Sequence, residues 1–315
     1  MNRKAFEALL YSGAFDSFGL PRMGYNFPSV TTGEPFIDSL LKYADLYRRD
    51  TLDASVSLFG GMEEIKPVRP ALPQIRPEDI PVDDLEMLHR EKDLVGMYLS
   101  AHPLDKFAFE IENFTTAKLN ELPQIIAKCE SEKTTATANV GGFITLVEHG
   151  TSNKGKQFMK VVIEDFSGSY EKRLVGKELE TFRPLLVQNT AVFIEGKIEE
   201  MFPRNEQERK ELGDPPKAFR IKKVSMLGNV SESMIKSFAL NISTPQLNEN
   251  FRKKLIEVIS KNSKGGKIPL SMFVYDPVTK YNLEFLSKKF QINISAEFIN
   301  ELERLGVRYS IIKRN

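Results

Sequence analysis

A single cysteine, Cys129, stands in 315 residues, so no internal disulfide can form, and such a chain suits a reducing compartment. Histidine is nearly as scarce. His89, His102 and His149 lie in different segments, and neither they nor Cys129 have the neighbours a metal site requires. No spaced pair of aspartates offers the two-metal chemistry of phosphoryl transfer. No apolar run is long enough to span a bilayer, and the N-terminus lacks a signal-peptide core. A cytoplasmic chain without membrane attachment is expected. Lys and Arg number 44 against 43 Asp and Glu, a formal charge of +1, so a nucleic acid would have to be met by a local patch. No catalytic residue, metal or cofactor is expected.

What is present is an ordinary globular composition, 41% hydrophobic and 28% charged, long enough for two or three domains. The opening third reads as helical. Phe6, Leu9 and Leu10 recur at helical spacing until Gly13. Ile37, Leu40, Leu41 and Ala44 mark a second helix, with Arg48 and Arg49 near an end at Asp50. A third is expected from an N-cap at Asp83 to about Leu99, burying Leu88, Val95 and Leu99 and halted by Pro103. Ser100 and His102 lack an ordering carboxylate or oxyanion motif and read as a helix end, not as nucleophile and base.

Between the second and third helices lies Ser55-Val56-Ser57-Leu58-Phe59, followed by Gly60-Gly61 and by Pro67, Pro70, Pro73, Pro77 and Pro81. Glycine and proline predict a mobile surface loop. Leu58 and Phe59 on such a loop suit a pocket on a partner, as extended peptide ligands do. A loop folding back to bury Phe59 is the other reading.

From about Ala136 the pattern turns to period two. Val140, Gly142, Ile144 and Leu146 share one face of a first strand, and Met159, Val161 and Ile163 one face of a second. Tyr170–Leu174 begin a third. A helical segment (Glu178–Leu186) precedes strands at Thr190–Glu199 and Ala218–Met226. Three strands, a helix and two strands is the order of a five-stranded, partly open OB-fold barrel. Gly141-Gly142 would permit the coiling such a barrel needs. Lys154 and Lys156 fall in the first turn, Phe158 and Lys160 point outward on the second strand, and Lys172 and Arg173 add charge on the third. Basic groups beside an exposed aromatic suit single-stranded nucleic acid. Glu164, Asp165 and Glu171 equally suit a solvated hairpin. Gly150–Gln157 only approximates a phosphate loop, because Gln157 replaces the magnesium-binding hydroxyl and a strand, not a helix, follows.

The last third reads as a small α/β unit. Phe238, Leu240 and Ile242 alternate, and a basic-surfaced helix carries Leu247, Phe251, Leu255, Val258 and Ile259. Ile268–Tyr275 and Tyr281–Phe285 pair across Asp276-Pro277, and Phe298, Ile299, Leu302 and Leu305 mark a closing helix. Arg252, Lys253, Lys254, Lys261, Lys264 and Lys267 read as a solvated helix face.

Asn2–Leu10 with Gly13–Ser17 resembles the end of the helix-hairpin-helix region of the bacterial replicative DNA polymerase III alpha subunit, a C-family polymerase. Glu91–Asp105 (EKDLVGMYLSAHPLD) looks like that family's C-terminal signature. Gly142-Phe143-Ile144, Lys154-Gly155-Lys156 and Ile163–Gly168 fit its OB-fold in order and spacing, and the tail from Phe238 resembles its C-terminal domain more loosely. The resemblance implies a multi-domain α+β chain: a helical clamp-binding region (1–112), an OB-fold (113–228) and an α/β domain (229–315) like the tau-binding domain. It implies a non-catalytic fragment of a DNA-directed DNA polymerase, a nucleotidyltransferase whose palm, thumb and fingers lie upstream, so that Met1 is not the natural start. Ser55, Val56, Ser57, Leu58 and Phe59 fall at the family's sliding-clamp peptide, with Ser55 where Gln is frequent, which implies weaker affinity for the clamp (beta subunit). The OB-fold, with Lys154, Lys156, Phe158, Lys160 and Arg173, would lie near single-stranded DNA, and the tail near the tau subunit of the clamp loader. Where Lys160, Lys172 and Arg173 stand, the family often has apolar or aromatic residues, so the exposed barrel surface is expected to be unusually charged. The alternative is a free-standing OB-fold protein that binds single-stranded nucleic acid.

Overall fold

The computed structural model describes residues 2–56, 68–76, 79, 85–153, 155–201 and 205–314, with only the backbone at 50–56. The architecture is α+β, and the chain forms two compact units, Met1–His102 and Pro103–Asn315.

The first unit is helical. The helix α1 (Arg3–Tyr11) starts at Asn2, whose side chain accepts the Ala5 N–H at 2.8 Å, a capping bond that satisfies one of the helix's orphan donors. Phe6, Leu10 and Tyr11 meet Tyr25, Phe36 and Ile37 in a core edged by Phe15, Leu20, Leu40, Leu41 and Met87. The helix α2 spans Phe36–Val56, six residues beyond the expected end at Asp50. Thr51-Leu52-Asp53-Ala54 contains neither glycine nor proline, so nothing local stops it. The helix α3 (Leu85–Val95) ends four residues early. Gly96 takes φ of +88° and donates its N–H to the Lys92 carbonyl at 2.7 Å, a glycine stop that acts before Pro103 can. Leu88 is buried as expected, whereas Val95 and Leu99 stay 37% and 55% exposed.

The proline segment is not a free loop where it is described. Pro70 and Pro73 are buried, Ala71 accepts a bond from the Ser29 hydroxyl and donates its N–H to Thr31 Oγ1, and Ile75 lies against Gly24. Proline has little conformational freedom to lose, which favours such docking.

The second unit holds two sheets. Before the first come α4 (Ala108–Phe114) and α5 (Leu122–Ser131), neither expected. The strands β1 (Ala136–Thr151), β2 (Gln157–Asp165) and β3 (Gly168–Val175), the helix α6 (Gly176–Phe182), then β4 (Ala191–Glu200), α7 (Glu206–Leu212) and β5 (Lys217–Met226) follow. All pairings are antiparallel and the sheet order is β3-β2-β1-β4-β5. Among the described residues no ladder joins β3 to β5, so main-chain pairing does not close the expected barrel. Its core gathers Val140, Ile144, Met159, Val161, Ile163 and Leu174 with Val192, Ile194, Ile198, Phe219 and Ile221. Gly142 lets two strands approach closely: a Cβ there would fall 2.9 Å from the Glu164 carbonyl oxygen. A bulge at Thr145 moves Leu146 off the expected face. Beyond it Val147 pairs with Val161 and packs on the core, while Leu146 pairs with Val162.

After α8 (Val230–Met234), β6 (Ile235–Ser243), α9 (Glu249–Asn262), β7 (Ile268–Tyr275), β8 (Asn282–Ile292), α10 (Ala296–Arg304) and β9 (Arg308–Lys313) form the second sheet, ordered β8-β7-β6-β9. The parallel pair β6 and β7 needs the α9 crossover, whereas β7 and β8 form the expected hairpin. The strand β6 is central, buried at Phe238, Ala239 and Leu240, so a run rather than an alternation describes it. The closing strand β9, unforeseen, pairs with β6 and stacks Tyr309 on Phe238 at 5.1 Å. In α10, Phe298, Ile299 and Leu302 are buried, while Leu247 lies outside α9 and exposed.

Candidate nucleic-acid interface

Antiparallel register sets the outward face of β1–β3 as a grid, because directly paired residues share a face. Leu146 pairs with Val162, Glu148 with Lys160 and Gly150 with Phe158; on the other side Val162 pairs with Glu171, Lys160 with Arg173 and Phe158 with Val175. The Arg173 guanidinium lies 3.7 Å from the Phe158 ring centre, a stacked cation–π pair. Opposite, Gly150 makes room for the ring, since a Cβ there would come 2.5 Å from Phe158 Cζ. The pair therefore presents a flat, cationic surface built from one aromatic and one planar cation.

Lys160 is differently placed. Its ammonium is 3.2 Å from Glu171 and 3.6 Å from Glu148, and the hydrogen bond to Glu171 together with both negative charges raises its pKa. Its charge is already countered. Lys156 is exposed in the β1–β2 turn, where Ser152 N–H donates to the Lys156 carbonyl at 2.8 Å and Ser152 Oγ accepts the Lys156 N–H at 3.1 Å. Lys154 lies outside the described residues. The structure thus brings together Phe158, Lys160 and Arg173.

Lys172 corrects the expectation of surface charge. It is 7% exposed and points inward beside Tyr170 and Leu174, and its ammonium donates to the Phe219 carbonyl on β5 at 2.5 Å. Glu178 on α6 lies 3.3 Å from that ammonium, accepts the Ile221 N–H at 2.8 Å and is 3.8 Å from Arg220. Burial lowers the Lys172 pKa, and Glu178 opposes that shift. The signal was available: Lys172 shares strand parity with two core residues.

The expected clamp peptide is divided. Ser55 and Val56 close α2 as helical backbone, and Ser57, Leu58 and Phe59 lie outside the described residues. Ser100 does have a carboxylate beside it, contrary to expectation: its hydroxyl donates to the fully buried Glu91 at 2.9 Å, and its N–H reaches the same carboxylate. Sequence reading missed Glu91 as the post that holds this loop. Among the described residues no three His, Cys, Asp or Glu side chains group as a metal site, and no helix is long and apolar enough to cross a membrane.

Residues 238–312 match the family model described as DNA polymerase III alpha subunit, C-terminal domain. The chain is 22% identical over 307 residues to the DNA polymerase III subunit alpha of Haemophilus influenzae, an alignment covering 97% of this chain and 24% of that protein. To the Bacillus subtilis protein of the same name it is 22% identical over 315 residues, 100% of this chain and 25% of the relative. The Neisseria meningitidis serogroup B protein is 30% identical over 205 residues, 63% of this chain and 15% of the relative. The chain spans about a quarter of the length of the relatives it matches throughout. It is therefore similar, over nearly its whole length, to the C-terminal part of DNA polymerase III alpha subunits.

Proposed function

We propose that this chain is the non-catalytic C-terminal part of a replicative DNA polymerase alpha subunit, a module that ties the polymerase to its sliding clamp and touches single-stranded template. The observation that carries this reading is alignment with DNA polymerase III alpha subunits along 97% of the chain. In it, residues 113–228 form an OB-fold, Ser55–Phe59 engage the clamp through Leu58 and Phe59, and residues 229–315 meet the tau subunit of the clamp loader.

The Phe158–Arg173 pair supports the single-strand contact. A base stacking on this platform would gain about 1–3 kcal/mol, independently of its identity, while Lys156 meets phosphate from the turn. Lys160 would contribute less, because phosphate must compete with Glu148 and Glu171 for its ammonium.

Titration of purified sliding clamp against this chain, with and without Leu58→Ala/Phe59→Ala, tests the tether. The wild type should bind and the variant lose most of its affinity. Unchanged clamp binding by the variant would sink the tether, and absence of binding by both would favour a free-standing OB-fold protein. Oligothymidylate binding with Phe158→Ala/Arg173→Ala tests the second contact separately, and unaltered affinity would remove it.

A further inference from the structure

Strand polarity collects lysines at one end of the second sheet. β6 and β7 begin there and β8 and β9 finish there: Ile235 pairs with Lys313, and Ile268 with Ile292. Lys236 follows Ile235. Lys264 sits in the turn after α9, whose Asn262 carbonyl accepts the Asn293 N–H at 2.9 Å just beyond β8. Lys288 and Lys289 arrive by a different device. Pro269 pairs with Gln291 and Ser271 with Leu286, so four β8 residues, Ser287 to Phe290, face the single residue Leu270. This bulge is held by the Phe290 N–H donating to Ser287 Oγ at 2.9 Å, and its tip is Lys288-Lys289.

Nearby cations that have acids are already matched. Lys267 pairs with Glu232 at 2.9 Å, and Lys261 with Glu297 and Glu301 at 2.7 and 3.0 Å. Lys236, Lys264, Lys288 and Lys289 are exposed and have no carboxylate partner among the described residues. In a chain of net charge +1 this is a local surplus of positive charge. Four ammonium groups fit phosphate oxygens as hydrated point charges. The patch lacks what single strands need, since its one ring, Phe290, is half-buried, with the Lys289 ammonium 5.4 Å from its centre.

We propose that this end of the second sheet binds the sugar-phosphate backbone of duplex DNA, without sequence preference, as a contact separate from the β1–β3 face. Each lysine neutralises about one phosphate and releases its counterions, so affinity should fall steeply with salt.

The test is fluorescence anisotropy of the intact chain with a labelled 20-base-pair duplex across a salt series. Lys264→Ala/Lys288→Ala/Lys289→Ala should weaken duplex binding about tenfold or more at low salt and flatten the log–log salt slope by roughly two to three. A charge-matched control, Lys128→Ala/Lys253→Ala/Lys280→Ala, should stay within about twofold of wild type. Equal losses in the two triples, or an unchanged slope, would overturn the proposal. So would a variant that loses binding to polyglutamate while keeping the duplex, because the patch would then serve an acidic protein. Phe158→Ala/Arg173→Ala, read with oligothymidylate in the same buffers, reports on the other face, so either contact can fail while the other stands.

Discussion

The Lys172 ammonium reaches from β3 to the Phe219 carbonyl on β5, 2.5 Å away, spanning two edge strands that no main-chain ladder joins among the described residues. Glu178 secures both sides, lying 3.3 Å from Lys172 and accepting the Ile221 N–H. A side-chain clasp thus stands where a closed barrel would have backbone pairing.

Breaking one half of a buried pair leaves the other charge unsolvated. Lys172→Met should destabilise the second unit by about 3 kcal/mol in urea unfolding. Adding Glu178→Gln, whose carbonyl still accepts the Ile221 N–H, should return at least about 1 kcal/mol of that loss. Strict additivity in the double-mutant cycle would show that the two residues are not coupled.

Gly150 and Phe158 make a steric prediction. A methyl at Gly150 falls 2.5 Å from the ring and must push it off its place beneath Arg173. Because the displaced atoms are the far end of a half-buried ring, Gly150→Ala should cost no more than about 1 kcal/mol in thermal unfolding. The same variant should weaken oligothymidylate binding as Phe158→Ala does. Wild-type affinity together with wild-type stability would mean that the ring position is immaterial.

Glu110 gives a pH dependence. Burial raises its pKa, and the Ser231 hydroxyl bond at 2.5 Å only partly opposes this. A carboxyl that is harder to ionise when folded costs stability above its folded pKa, and the cost vanishes as pH falls toward the ordinary value. Glu110→Gln keeps an acceptor for Ser231 and carries no charge. Its melting temperature should exceed wild type at pH 8, with the difference shrinking as the solution is acidified; a constant difference would contradict the assignment.

Ser271 is fully buried on β7, and its hydroxyl has no hydrogen-bond partner among the described residues. Removing it ends an uncompensated desolvation. Ser271→Ala should raise stability by about 1 kcal/mol. A loss of more than that amount in chemical denaturation would reveal a contact that the hydroxyl makes.

Strand positions in the first sheet could be read from the chain alone, since Met159, Val161 and Ile163 recur at period two and are buried, although Val162 between them is apolar and faces outward. The same parity placed Phe158 and Lys160 outward, but it was not applied to the third strand, where Arg173 is exposed and Lys172 buried. It failed at Thr145, where a bulge adds one residue and reverses the phase of Leu146 and Val147, an event with no composition of its own. The strand β9 also escaped notice, being short and ending at the chain's basic tail.

Local chemistry in the residues therefore settled the five strands of the first sheet and the helices α1, α2, α9 and α10, whereas the end of α3 at Gly96, the helices α4 and α5, the strand β9 and the inward turn of Lys172 were not read from it. Whether an outward cation is free was settled only by its neighbours in space. Arg173 lies on an aromatic ring, Lys160 between two carboxylates, and Lys172 inside against a carbonyl from a strand nearly fifty residues away in the chain. Charge pairing depends on distances of a few ångströms between distant segments, and only folding brings those segments to such distances.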